Sequence, residues 1–256
     1  MRENQVKRTL QQGGVALGTM AFEFCTTGMA RITAAAGADF AVFDMEHTGW
    51  SVETIRMLMA TSVGTELMPF VRVPATEYHF LARVLDVGAM GIMVPMVQDA
   101  DQARRIVQSA KYPPAGRRGA AFGVAHDDYA DGDIIEKMQS ANAEVLLIAQ
   151  IETAQGVENA EAIAALDGID VLWIGHFDLT NSLGIPGQFA HADYRRSVDR
   201  VLAACHRHGK AAGFMVASPE QGKESIAQGF RCLAYWVDIL LYRQALGEGI
   251  RAIRGR

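Results

Sequence analysis

Apolar residues fall in short runs along this chain, and between the runs the pattern changes to one that repeats every three to four positions. The runs cover residues 15–24, 40–44, 67–73, 91–97, 145–151, 171–175, 211–216 and 232–237. Short runs with little polar alternation are what strands buried on both faces look like. Helical periodicity occupies residues 5–12, 27–36, 52–62, 78–87, 99–111, 133–141, a short segment between the fifth and sixth runs, and then 193–208, 219–228 and 239–253. The first helix is predicted to stop at Gly13-Gly14, where the chain takes positive φ at little cost. Eight strands alternating with helices in 256 residues predict a closed (β/α)8 barrel, a single α/β domain over residues 1–256, in preference to an open doubly wound sheet.

Composition narrows the function more than the fold. The formal net charge is -5 and there are no basic clusters, so the chain lacks the footprint of a nucleic-acid binder. Small molecules and further copies of the chain are the expected partners. Three widely spaced cysteines, Cys25, Cys205 and Cys232, show no metal-ligand spacing and fit a reducing compartment. Residues 1–12 are polar and charged, and no run supplies the ~20 apolar residues that span a bilayer, so a cytoplasmic protein without membrane contact is expected. No G-x-G-x-x-G follows the first strand and no G-x-x-x-x-G-K-[ST] occurs, which leaves dinucleotides and nucleotides without a phosphate cradle.

If the strands are parallel, their C-terminal ends form one mouth and bring distant residues together. Alternation puts Leu146, Ile148, Gln150 and Glu152 on one face, an apolar stripe that becomes polar where the strand stops. The next run, 171–175, is followed by Asp178. Two convergent carboxylates repel each other, and a proton or a divalent cation with oxygen ligands relieves the repulsion. Glu152 and Asp178, with Gln150 beside them, therefore outline an open Mg²⁺ or Mn²⁺ site, although helix capping by each acid fits the same spacing. Asp44 and His47 form a candidate dyad in which the carboxylate fixes the imidazole tautomer; the alternative is a histidine bonded to a turn. Arg72, ending an apolar strand, calls for an anionic partner, either a substrate oxygen or Asp44 or Glu46.

The fragments FDMEHTGW, the arginine of VRVP, LDVGAMGIMVPMV, KYPPAGRRG, QIET and IGHFDLT stand in this order between residues 43 and 180, within a resemblance that covers the chain from about Gly13 to the last helix. At these separations they resemble the HpcH/HpaI class II pyruvate aldolases. The resemblance implies a (β/α)8 barrel that cleaves or forms 4-hydroxy-2-oxo acids through a pyruvate or hydroxypyruvate enolate on Mg²⁺, Mn²⁺ or Co²⁺. It implies Glu152 and Asp178 as metal ligands, Gln150 close to the oxo acid, and Arg72 on the enolate oxygen. It also implies the amides of Phe177 and Asp178 for the substrate carboxylate, and His47, oriented by Asp44, for proton management. Asp86 would serve the neighbouring subunit's site, and the last helix would be exchanged in a homo-oligomer, a hexamer in the family; read alone, that helix closes its own barrel. No lysine lies at a strand end, which agrees with a metal rather than a Schiff base.

The chain departs from the family's Gly-Pro-x-Asp-Leu-Ser pattern at Gly175-His176-Phe177-Asp178-Leu179-Thr180. There His176 either reaches the site or fills space. Arg117 to Phe122, with Phe214, Met215 and Trp50, are expected to shape the aldehyde pocket. The alternative activity is a carbon–carbon lyase acting on CoA thioesters, which needs a basic groove from Arg104, Arg105, Arg117 and Arg118.

Overall fold

The computed structural model describes residues 1–255, and among them eight parallel strands close a barrel in sequence order, β1 to β8. The strands are β1 (Ala16–Ala21), β2 (Phe40–Asp44), β3 (Met68–Arg72), β4 (Gly91–Val94), β5 (Leu146–Ile151), β6 (Val171–Ile174), β7 (Ala211–Val216) and β8 (Phe230–Val237). The helices before β5 are α1 (Gln5–Gln11), α2 (Met29–Ala35), α3 (Val52–Ser62), α4 (Tyr78–Asp86), α5 (Ala100–Ala110) and α6 (Ile134–Glu144). After it come α7 (Ala154–Glu158), α8 (Ala160–Ala164), α9 (His176–Ser182), α10 (Ala192–Arg207), α11 (Pro219–Gln228) and α12 (Asp238–Ile253).

Two apolar layers hold this arrangement. Outward-facing residues such as Phe43, Val71, Leu147 and Leu172 pack under the helices. Inward-facing residues fill the barrel itself: Phe40 and Val42, Met68 and Phe70, Leu146 and Ile148, Val171 and Trp173. Phe40 and Phe70 stack at 5.4 Å between centroids. Gly91 faces them, where a Cβ would stand 2.7 Å from the Phe70 ring, so the strand must lack a side chain there. Truncating either ring to alanine would cost about 3–5 kcal/mol.

The inward rows are what position the site. On β2, β3 and β5 two apolar inward residues are followed by a polar one, giving Asp44, Arg72 and Gln150. Asp44 and Arg72 are register partners on adjacent strands.

Two expectations change in the structure. The first strand ends at Ala21 instead of residue 24, because the amides of Phe22, Glu23 and Phe24 donate to the buried carboxylate of Asp238 at 2.7–3.0 Å. The last helix does not close its own barrel. Along α12 only Asp238 is buried, and Tyr242, Leu246, Ile250 and Ile253 are exposed. A groove between α2 and α11 is lined by Leu17, Met29, Ile32, Ile226 and Leu233, together with Leu241 and Tyr242 from the start of α12. No helix among the described residues is long and apolar enough to cross a membrane.

Candidate active site

The mouth at the C-terminal strand ends gathers four carboxylates, Asp44, Glu46, Glu152 and Asp178, around one guanidinium, that of Arg72. Asp44 is fully buried. Its Oδ1 accepts from Arg72 Nε at 2.5 Å, and Arg72 Nη1 stands 3.1 Å from Glu46 Oε2. Both ionic partners foreseen for Arg72 are therefore engaged, and yet Nη2 remains buried without an acceptor. The ring of Phe22 lies under this guanidinium, 5.3 Å from Cζ. A guanidinium bonded to Asp44, paired ionically with Glu46 and backed by a ring keeps Nη2 as its unpartnered nitrogen, in a fixed direction.

The pairing of Asp44 with His47 differs from the dyad expected. Asp44 Oδ2 accepts from the His47 main-chain amide at 2.8 Å, so the carboxylate shapes the turn and does not touch the imidazole. The His47 side chain is 53% exposed, with Nε2 3.7 Å from Glu46 Oε2. Phe22 stands 6.4 Å from it, ring centroid to ring centroid. The ring is open to solvent and to whatever occupies the mouth.

Glu152 is 1% exposed at the end of the inward row of β5. Its Oε1 accepts from the amide of Met96 at 2.6 Å, and its Oε2 from Gln150 Nε2 at 2.5 Å. Met96 adopts φ 54°, a left-handed conformation uncommon for a side-chain-bearing residue. That turn cuts β4 short of residue 97 and aims the amide at Glu152. Gly175 closes the other side: a Cβ there would collide with Glu152 Oε2, so only glycine leaves room for the carboxylate. Burial pushes the Glu152 carboxyl up to about 7 against the two hydrogen bonds that favour its ionised form, and Glu46 and Asp178 push it the same way. Burial likewise raises Glu46, outweighing Arg72. Neither acid takes the capping role its position allowed: the side chain capping α7 is Thr153, and Asp178 lies in the first turn of α9 behind Gly175.

Asp178 is solvent-facing at the start of α9, whose first intrahelical bond runs from Leu179 N to Gly175 O. The amides of Phe177 and Asp178 thus have no acceptor within the helix. His176 packs among Phe177, Phe189 and Phe214 at 4.4–5.3 Å between ring centroids, and burial takes its pKa down to about 4. It is a neutral ring in an aromatic cluster, the space-filling alternative.

The residues expected to form an aldehyde pocket are distributed otherwise. Phe214 and Trp50 pack in the outer layer, Phe122 rests on Tyr112 and His126, and the Arg118 side chain is wholly buried. Met215 keeps its place, because it faces inward. Beside it stand Phe22 and Trp236, which sequence reasoning missed. Trp236 has φ 53° and a buried indole N–H without a partner. Asp86 ends α4, away from the carboxylates of its own mouth, and is paired with Arg118.

A family model described as HpcH/HpaI aldolase/citrate lyase matches residues 24–245. The chain belongs to this family. Among its relatives, the 2-keto-3-deoxy-L-rhamnonate aldolase of Klebsiella pneumoniae is 35% identical over 243 residues, 95% of this chain and 90% of that protein. The crystal structure of an HpcH/HpaI aldolase from Desulfitobacterium hafniense superposes with a TM-score of 0.92 at 31% identity, covering 97% of this chain and 96% of the other. A family member from Burkholderia cenocepacia gives a TM-score of 0.91 at 30% identity, covering 98% and 99%. As a member of the HpcH/HpaI family the chain is an enzyme of the aldolase type, and the barrel expected from the strand pattern is the barrel of its relatives.

Proposed function

We propose that this protein is a metal-dependent aldolase that reversibly cleaves 4-hydroxy-2-oxo acids to pyruvate, or hydroxypyruvate, and an aldehyde. The observation that carries the reading is the convergence of Glu152, Asp178, Gln150 and Arg72 at one mouth, with Arg72 Nη2 and Gln150 Oε1 both buried and unpartnered.

The donor set fits a hard divalent cation. Four carboxylates against one arginine leave the mouth short of positive charge, and Glu152 is raised to about 7 in consequence of burial among like charges. Among the described residues no three His, Cys, Asp or Glu side chains form a closed cage. An ion such as Mg²⁺ needs none, since one or two carboxylates with water and substrate oxygens complete its shell. Glu152 and Asp178 would hold it, with Gln150 beside them. When bound, Mg²⁺, Mn²⁺ or Co²⁺ supplies a Lewis acid that draws electron density from the 2-oxo group.

The chain's own groups do the rest. Cleavage removes a proton from the 4-hydroxyl, breaks the C3–C4 bond and leaves the electron pair as an enolate, which is then protonated at C3. Arg72, immobilised by Asp44 and Glu46, donates through Nη2 to the oxygen that gains charge. The free amides of Phe177 and Asp178 receive the carboxylate of the oxo acid. His47 moves the proton at its exposed ring, and Asp44 fixes its place through the main chain. The five lysines stand in helices or loops, with Lys7, Lys111 and Lys210 at the opposite end of the barrel, so none is placed for a Schiff base.

The CoA-thioester alternative is the weaker, because of the four arginines it needs Arg118 is buried and Arg104 is paired with Asp101, which leaves Arg105 and Arg117 exposed. The groove between α2 and α11 and the apolar side of α12 support a homo-oligomer, in which they would be complementary parts of one interface with α12 crossing to a second copy. A hexamer is the expected size, with Asp86 lent to the neighbouring mouth. A cytoplasmic setting suits three free cysteines, two of them buried and held as thiols. The test is release of pyruvate from 2-keto-3-deoxy-L-rhamnonate, read by a coupled reduction to lactate. Turnover that is restored by Mn²⁺ after chelation supports the reading, and turnover indifferent to chelation removes it.

A further inference from the structure

Buried polar side-chain atoms without a hydrogen-bond partner fall, among the described residues, into two places. One is the mouth, with Arg72 Nη2, Gln150 Oε1, Glu46 Oε2 and Trp236 Nε1. The other is the connection between α5 and α6, where Arg118 Nε and Nη1, the Tyr112 hydroxyl and His126 Nδ1 are all unpartnered. The first place is the candidate active site. The second has had no role so far.

Its construction is rigid. Asn142 brackets the Tyr112 backbone, accepting from its amide at 2.7 Å and donating to its carbonyl at 2.9 Å. The Arg118 amide donates to Lys111 O at 2.9 Å, which lays the guanidinium over the Tyr112 ring with Cζ 4.8 Å from the centroid. From there Nη2 donates to Asp86 Oδ1 at 2.6 Å. The pair has an inside and an outside, since the Arg118 side chain is 0% exposed and that of Asp86 is 34% exposed.

Asp86 is poorly placed for its own helix. It is the last residue of α4, where the carbonyl end of the helix dipole disfavours negative charge. No partner engages its Oδ2 among the described residues. A surface carboxylate set against its helix, with one oxygen free and the other held by a locked cation, is arranged for presentation.

We infer that Arg118 is a positioning residue that acts across the subunit interface, fixing the Asp86 carboxylate in the direction in which α4 offers it to the neighbouring mouth. This rests on the reading that Asp86 is lent to that mouth. The buried loop from Tyr112 to Arg118, more than α4 itself, then sets where the carboxylate points. Arg118→Lys retains the charge but not the flat contact with Tyr112, so it retains part of the function.

Subunit complementation tests it, with aldol addition of pyruvate to glycolaldehyde in Mn²⁺ as the probe. Arg118→Gln protomers keep their own metal ligands, whereas Glu152→Ala protomers keep an intact Arg118–Asp86 pair. Each is expected to be at least tenfold impaired alone, with Arg118→Lys between Arg118→Gln and wild type. Combining Arg118→Gln with Asp86→Asn in one chain should lower turnover no further than the worse single change. Reassembled mixtures of Arg118→Gln and Glu152→Ala should recover activity at about a quarter of the sites, as random pairing across two-fold interfaces gives. Wild-type turnover by Arg118→Gln overturns the inference. So does recovery by the Asp86→Asn and Glu152→Ala mixture when the Arg118→Gln mixture stays inactive; if Arg118→Gln does not assemble, Arg118→Lys takes its place in the mixture. If neither mixture recovers in verified hybrids, Asp86 is not lent, and the underlying reading fails together with the inference.

Discussion

At the N-terminal end of the strands Lys7 and Lys111 are buried, and their ammonium groups are spoken for. Lys7 donates to Val145 O at 2.8 Å and lies 3.4 Å from Asp170, while Lys111 donates to Asn142 O and Val145 O at 2.7 Å. Asn4 beside them is fully buried and bonded at Nδ2 and Oδ1 alike. At the C-terminal end Arg72, Gln150 and Glu152 are buried to the same degree, but Arg72 Nη2 and Gln150 Oε1 have no partner and Glu152 is held near 7. Equal burial with unequal satisfaction separates a network that holds the fold from one whose polar atoms are available to bind. In a barrel of this kind the first belongs to the base and the second to the mouth.

Substitutions should break the two ends differently. Glu152→Ala or Asp178→Ala is expected to lower turnover by on the order of 10³-fold or more, because an ion worth several kcal/mol of charge stabilisation is lost. Steady-state kinetics in saturating Mn²⁺ measures it. Arg72→Lys keeps a charge but cannot contact Asp44 and Glu46 and still donate outward, so kcat should fall by roughly 10²-fold while the melting temperature shifts little.

Stability against pH sharpens the contrast. In chelated protein, Glu152 ionises near its ordinary value when unfolded and at about 7 when folded. Between those values the folded chain binds the extra proton, so stability drains as pH rises through that window. Glu152→Gln removes the loss and should melt higher than wild type above pH 7, with the gap closing toward pH 4. Lys111 has the opposite slope. Burial, with Lys7 adding to it, takes its pKa down to about 7 from 10.5, so the unfolded chain holds the extra proton and stability rises with pH across that interval. Lys111→Met should flatten this rise and cost about 1–2 kcal/mol at pH 9, read by urea melts, with turnover within about twofold of wild type. A large loss of turnover there would erase the distinction between base and mouth. The smallest effect belongs to His176→Phe: a neutral ring among aromatics, replaced by another, should leave turnover within a few-fold and its pH profile between 5 and 8 unchanged.

Much of the barrel and of its polar ring was legible along the chain. The inward rows Phe40-Val42-Asp44, Met68-Phe70-Arg72 and Leu146-Ile148-Gln150 are local alternation, and alternation is written in sequence. What escaped depends on contacts between distant segments. Phe22 reaches the mouth because Asp238, more than two hundred positions away, takes the amides that would have extended β1. The Asp44–His47 spacing suited a dyad, but Arg72 on the next strand takes one oxygen and the His47 amide the other. Arg118 was expected to shape the aldehyde pocket or to supply a basic groove, but the Tyr112 ring and Asp86 enclose it. Gly175 was plain in the sequence, but the carboxylate that forbids it a side chain was not.

The most direct measurement is exchange of the pyruvate methyl protons in D₂O, followed by NMR with Mg²⁺ and no aldehyde. Enolate formation at this mouth requires progressive loss of the methyl signal in the metal-loaded enzyme, abolished by chelation and by Glu152→Ala. A methyl signal that persists in the loaded wild type, or that decays as fast in Glu152→Ala, would contradict it.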